Sequence, residues 1–146
     1  ISGSDYILHM AALRINACAS NPSDGFEVMV MSTFNIAELA RKYKIKKIIY
    51  SSSASVYGYA QNFPTPEADN PYDNQTFYGA AKLFGEQIFR SYKHMYGLDY
   101  IALRYFNSPP PIPARELNLQ NAVLGQCRVP LTEHMLGDIV LARVVT

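Results

Sequence analysis

Tyr78 and Lys82 stand four residues apart in Phe77-Tyr78-Gly79-Ala80-Ala81-Lys82. On a helix this spacing puts both side chains on one face, with phenol and ammonium within reach of each other. A free tyrosine, with a pKa of about 10, is a poor base at neutral pH. A neighbouring cation favours its phenolate. Upstream, the apolar run Lys47-Ile48-Ile49-Tyr50 leads into Ser51-Ser52-Ser53-Ala54-Ser55-Val56-Tyr57-Gly58. A serine hydroxyl at the end of that strand can pass a proton between Tyr78 and an alcohol substrate. Such a set is suited to interconverting an alcohol and a ketone. Tyr-x-x-x-Lys alone also arises by accident on a solvated helix face in a chain with eleven tyrosines.

These residues need a sheet and a helix to hold them. Tyr6-Ile7-Leu8-His9 reads as a short strand ending in the small residues Ala11 and Ala12. A helix is expected from Asn21-Pro22-Ser23-Asp24, capped by Ser23 or Asp24, with Phe26, Met29, Val30, Thr33, Ile36, Ala37 and Ala40 as its buried stripe. The basic run Arg41 to Lys47 opposes the negative end of that helix's dipole. Lys46 to Tyr50, β-branched and apolar, reads as a central parallel strand. Ligands sit outside the carboxyl ends of such strands, which is where Ser51, Ser52 and Ser53 fall. Residues 59–75, with Pro64, Pro66 and Pro71, form an irregular connection. Phe77, Ala81, Phe84, Ile88, Tyr92 and Met95 mark the stripe of a second helix that stops at Gly97, with Tyr78 and Lys82 beside the stripe. Asp99 to Phe106 is the next strand. The class is α/β.

Composition narrows the function. At 146 residues with 49% hydrophobic content, the chain can bury a core. A net charge of +1 gives no reason to expect nucleic acid or an anionic membrane as partner. No apolar run approaches the ~20 residues of a membrane helix and no signal peptide is evident, so a cytoplasmic protein is expected. Cys18 and Cys127 match no zinc or redox spacing, and no metal site is expected. Asn74-Gln75-Thr76 is formally a glycosylation sequon, taken as coincidence. His9 reads as a hydrogen-bonding residue behind the site rather than a catalyst.

The ordered set Asp5-Tyr-Ile-Leu-His9-Met-Ala-Ala12, Ser-Ser-Ser-Ala-Ser-Val-Tyr-Gly, Phe-Tyr-Gly-Ala-Ala-Lys and Leu103-Arg-Tyr-Phe-Asn107 resembles the extended short-chain dehydrogenase/reductases. Within them it resembles the NAD-dependent epimerase/dehydratase family, most closely the nucleotide-sugar 4-epimerases. The resemblance spans roughly Asp5 to Asn107. It implies Ser53, Tyr78 and Lys82 as catalytic residues, Ser53 and Tyr78 being twenty-five residues apart as in the epimerases. It implies Met10, Ala11, Ala12, Arg14, Ser51, Tyr78, Lys82 and Phe106 at the NAD site, and Ser53, Tyr78 and Asn107 on a nucleotide-sugar substrate. The reaction implied is epimerisation through a keto-sugar, with NAD accepting and returning the hydride. Dehydratases carry an Asp-Glu pair directly after the catalytic hydroxyl. Ala54 and Ser55 stand there, which disfavours loss of water.

The implied fold is a partial Rossmann-like, doubly wound parallel sheet lacking its N-terminal glycine-rich βαβ unit, because no Gly-x-x-Gly-x-x-Gly occurs anywhere. The chain is then either a fragment or a reduced protein that does not hold the dinucleotide alone. Residues 1–107 read as the NAD-binding layer. Residues 108–146 read as a Pro-rich connector and a short helical remnant of the substrate region, with helices at 114–126 and 132–145. Uncovered sheet edges and apolar helix faces predict poor solubility or association, a homo-oligomer being one form of it. The competing reading is a non-catalytic remnant or interaction module of the same fold. Simple reductase activity is a third.

Overall fold

The computed structural model describes residues 3–69 and 73–105, together with the backbone of 139–141. Strand β1 (Tyr6–His9) is followed by helices α1 (Ile15–Ser20) and α2 (Pro22–Gly25), a π-helical segment (Phe26–Met31) and helix α3 (Ser32–Lys42). Strand β2 (Lys47–Ser53) ends in a 3₁₀ turn (Ala54–Tyr57); helix α4 (Phe77–Tyr96), β3 (Asp99–Tyr105) and β4 (Ile139–Leu141) follow. The sheet order is β3-β2-β1-β4, with every neighbouring pair parallel. His9 lies opposite Tyr50, and Ser53 opposite Tyr105. The carboxyl ends of β1, β2 and β3 therefore share one edge.

Successive residues of β1 and of the first half of β2 are buried on both faces, which is why they read as apolar runs without alternation, whereas in β3 only Leu103 is fully buried. On one face Ile7, Ile48 and Tyr50 pack with Ala37 and Ala40 of α3 and with Phe89 and Tyr92 of α4. On the other, Leu8, Ile49 and Leu103 form a second cluster with Ile101 and Tyr105. Full burial of each large apolar side chain contributes roughly 1.5–3 kcal/mol.

Several expectations shift in detail. The entry to α2 is capped by Asn21, whose side chain accepts from the Asp24 amide, rather than by Ser23 or Asp24. Pro22 fits the first helical position, where a missing N–H costs nothing. Helix α1 has no counterpart in the apolar pattern. The expected stripe holds at Met29, Thr33, Ala37 and Ala40, but the wider π turn changes the phase and leaves Phe26 45% exposed. Residues 139–141 are strand rather than helix, pairing with Tyr6–Leu8. The expected helix at 114–126 and the Pro-rich connector lie outside the described residues.

The largest difference concerns α4. Its start is capped by Thr76, which accepts from the Gly79 amide at 3.1 Å, and it stops at left-handed Gly97, as expected. Its buried face, however, is Gly79, Ala81, Lys82, Gly85, Glu86, Phe89 and Tyr92, while Met95 is 65% exposed. Lys82 thus lies within the buried face, not beside it. Gly85 explains the close approach to the sheet. A Cβ there would lie 2.3 Å from the Tyr50 hydroxyl and 2.4 Å from its Cζ. Because the Tyr50 ring is itself buried, Gly85→Ala must displace the ring or the helix. It is expected to destabilise the fold by about 1–3 kcal/mol in urea unfolding, whereas Ala80→Gly on the exposed side costs about 1 kcal/mol or less.

Candidate active site

The site grows from the end of β2. Lys82 projects from α4 beneath the serine run and is 2% exposed. Its ammonium donates to the Ser51 carbonyl at 2.6 Å and lies 5.2 Å from the Tyr50 ring centroid and 5.8 Å from that of Tyr78. Burial lowers its pKa from 10.5 to about 8. It is still mainly protonated at neutral pH, so a cation sits under the Tyr78 phenol. Among the described residues Lys82 has no carboxylate partner.

Gly79, directly after Tyr78, sets how close the helix comes to the serine turn. A Cβ there would lie 2.6 Å from the Ser55 carbonyl and 2.3 Å from Asn74 Oδ1. Ser53 accepts from the Ser55 amide at 3.2 Å and donates to the Ser55 hydroxyl at 3.2 Å. Ser53 and Tyr78 are each only partly buried. The serine turn and the start of α4 are therefore pressed together at the sheet edge.

The chain leaving β1 completes the edge. Ala12 and Leu13 pack on a cluster containing Cys18, Met29, Ala81, Phe77 and Tyr78. Met10 is 43% exposed, Ala11 and Ala12 are partly exposed, and Arg14 is exposed at the start of α1. Of the seven expected site residues besides the catalytic three, Met10, Ala11, Ala12, Arg14 and Ser51 lie along this rim, while Phe106 falls outside the described residues. Asn107 falls outside them too. Of the groups gathered here, the Lys82 ammonium, with one neutral acceptor, is the one that could offer N–H groups to the hydroxyls of a bound cofactor.

Behind the rim, His9 is fully buried, as a supporting hydrogen-bonding residue should be. Thr33 spends its proton on the Met29 carbonyl at 2.6 Å, so at 2.8 Å it accepts from His9 Nε2. That fixes the neutral tautomer with Nδ1 unprotonated. Burial, and secondarily Lys82, lower the His9 pKa to about 4.

Sequence reasoning missed a second charged group. Glu86, one turn below Lys82, receives Arg104 on both carboxylate oxygens, at 2.9 and 2.7 Å, and the Ser52 hydroxyl at 2.5 Å. Glu86 falls four residues after Lys82 on the same face, a spacing that could have drawn attention to it. Arg104, in a strand, gave no such cue.

The sequence model of the NAD dependent epimerase/dehydratase family matches residues 1–121. UDP-glucose 4-epimerase from Halalkalibacterium halodurans is 33% identical over 105 residues, which cover 71% of this chain and 31% of that one. A UDP-N-acetylglucosamine 4-epimerase from Methanobrevibacter ruminantium, solved with UDP-N-acetylmuramic acid, superposes with a TM-score of 0.70 at 34% identity, covering 73% of this chain and 34% of that one. UDP-glucose 4-epimerase from Brucella ovis, solved with NAD, gives 0.65 at 31% identity, covering 70% and 32%. L-threonine dehydrogenase from Phytophthora infestans gives 0.65 at 29% identity, covering 69% and 33%. The chain spans about a third of the length of the curated relatives it matches.

The state of His9 has a pH signature. Its folded pKa lies below the unfolded value of 6.5, so the unfolded chain takes up a proton first as pH falls. Stability is full above pH 6.5 and declines toward pH 4, by about 3 kcal/mol from this residue. Urea midpoints across that range are expected to fall steeply for the parent and less steeply for His9→Gln. Equal slopes would mean that His9 is not held neutral.

Proposed function

The chain belongs to the NAD-dependent epimerase/dehydratase family, and from that premise we propose that it carries the proton-transfer site of a nucleotide-sugar epimerase acting at carbon 4. The observation that carries this reading is the buried Lys82 ammonium, bound to the Ser51 carbonyl beneath the Tyr78 ring at the end of β2.

Tyr78, as phenolate, takes the proton from the sugar hydroxyl, and Ser53 relays it between the two oxygens. Lys82 keeps positive charge beneath the phenol while that proton moves, and its remaining N–H groups would hold the nicotinamide ribose. Met10, Ala11, Ala12, Arg14 and Ser51 would line the dinucleotide, and Phe106 and Asn107 are assigned to nicotinamide and sugar by the family resemblance alone. NAD supplies a reversible hydride acceptor, so the sugar is oxidised to a ketone and reduced again on its other face. Tyr78 returns the proton in the second half. Ala54 and Ser55 stand where dehydratases hold an acid pair, which disfavours loss of water. A cytoplasmic setting and self-association belong to the same reading.

A second reading, a non-catalytic layer of the same fold, draws on the lack of any Gly-x-x-Gly-x-x-Gly in the sequence. Pyrophosphate is ordinarily held by such a loop. Calorimetric titration of the purified chain with NAD separates the two: saturable binding supports the enzyme, and no heat at millimolar NAD supports the non-catalytic layer. Net consumption of reduced cofactor would instead favour a simple reductase. Tyr78→Phe is expected to lower UDP-glucose/UDP-galactose interconversion by at least ~10²-fold with an unchanged urea midpoint. Parent-like turnover in that variant would remove Tyr78 from the chemistry.

A further inference from the structure

The fork between Glu86 and Arg104 does more than fill space. Tyr78, Lys82 and Glu86 descend α4 at four-residue steps, and the last two each grip one residue of the serine run. Lys82 holds the Ser51 carbonyl, and Glu86 accepts the Ser52 hydroxyl at 2.5 Å. Ser52 and Arg104 are register partners on β2 and β3, so both reach Glu86 from the same side of the sheet. Arg104 donates Nε to Oε1 and Nη2 to Oε2, and its Nη1 donates to the Glu67 carbonyl at 2.8 Å. Its guanidinium also lies 4.6 Å from the ring centroid of Tyr57, which closes the 3₁₀ turn after Ser53.

Ser53 is therefore bracketed. The residue before it is tied to Glu86, and the turn after it rests on Arg104. We propose that Glu86 and Arg104 are positioning residues that fix the Ser53 hydroxyl relative to Tyr78, a role resting on the proton-transfer reading given above. A planar guanidinium engaging both oxygens of a buried carboxylate sets direction as well as distance, which the single point charge of lysine does not. With three donors on it, the carboxylate has little freedom to rotate, and Ser52 inherits that rigidity.

The test pairs an activity readout with one independent of activity. The Ser55 amide donates to Ser53 Oγ, so its hydrogen exchange reports whether Ser53 is held. In Arg104→Lys and Glu86→Gln, exchange at Ser55 is expected to quicken at least tenfold while core amides such as Ile48 and Phe89 keep parent rates. Arg104→Lys keeps the cation and loses only the fork, so it carries the test if Glu86→Gln does not fold. Turnover should fall about tenfold in kcat with KM unchanged, and combining either variant with Ser53→Ala should cost no more than Ser53→Ala alone. Parent-like exchange at Ser55, equal quickening throughout the core, or additive losses with Ser53→Ala would each overturn the positioning role. Quickened exchange at Ser55 alone, with Ser53→Ala fully active, would uphold the positioning and instead contradict the proposed chemistry.

Discussion

A lysine ammonium almost wholly removed from water is an expensive thing to build, and the architecture turns on the contact that makes it tolerable. Lys82 has the Ser51 carbonyl at 2.6 Å and lies 5.2 and 5.8 Å from the ring centroids of Tyr50 and Tyr78. Hydrogen bonding to a neutral acceptor and two aromatic faces offset desolvation only in part. Its pKa is accordingly drawn down to about 8. No stability requirement calls for such a residue, since an apolar side chain of similar volume would fill the space at lower cost. Strongly perturbed, partner-poor charges of this kind concentrate at reactive sites.

The rest of the described structure brings α4 close enough to the sheet for that contact. Parallel strands all end at one edge, so the serine run emerges where β1 and β3 also stop. Gly85 lets the helix touch Tyr50, and Gly79 lets its first turn touch the Ser55 carbonyl. Tyr50, His9 and Phe89 pack their rings together below, with centroids 5.3 to 6.4 Å apart, and form a rigid floor. Far from the site, Tyr92 donates to Glu38, which also pairs with Arg41, tying α4 to α3.

Much of this was legible before any coordinates. The strands at Tyr6, Lys47 and Asp99 announced themselves as short apolar runs, and Gly97 marked the end of α4. The Tyr78–Lys82 spacing and the serine run marked the two stretches that meet at the sheet edge. What the pattern concealed was the burial of charge. Hydrophobicity selects Phe84, Ile88 and Met95 as the inner face of α4, yet the helix turns Lys82, Glu86 and two glycines inward. Polar groups that are satisfied by one another leave no apolar trace. The π turn was equally hidden, because its extra residue per turn shifts phase without any compositional signal. Arg104 faced the same difficulty, since its partner lies eighteen residues away on another element.

The most direct test of the arrangement is the titration of the Lys82 side chain itself, followed by nuclear magnetic resonance of its selectively labelled ε-carbon and Nζ in the folded chain. An amine held under Tyr78 and against the Ser51 carbonyl in a dry pocket is expected to titrate near 8. A midpoint near the ordinary lysine value of 10.5 would place it in water. The buried contact on which the edge is built would then not exist.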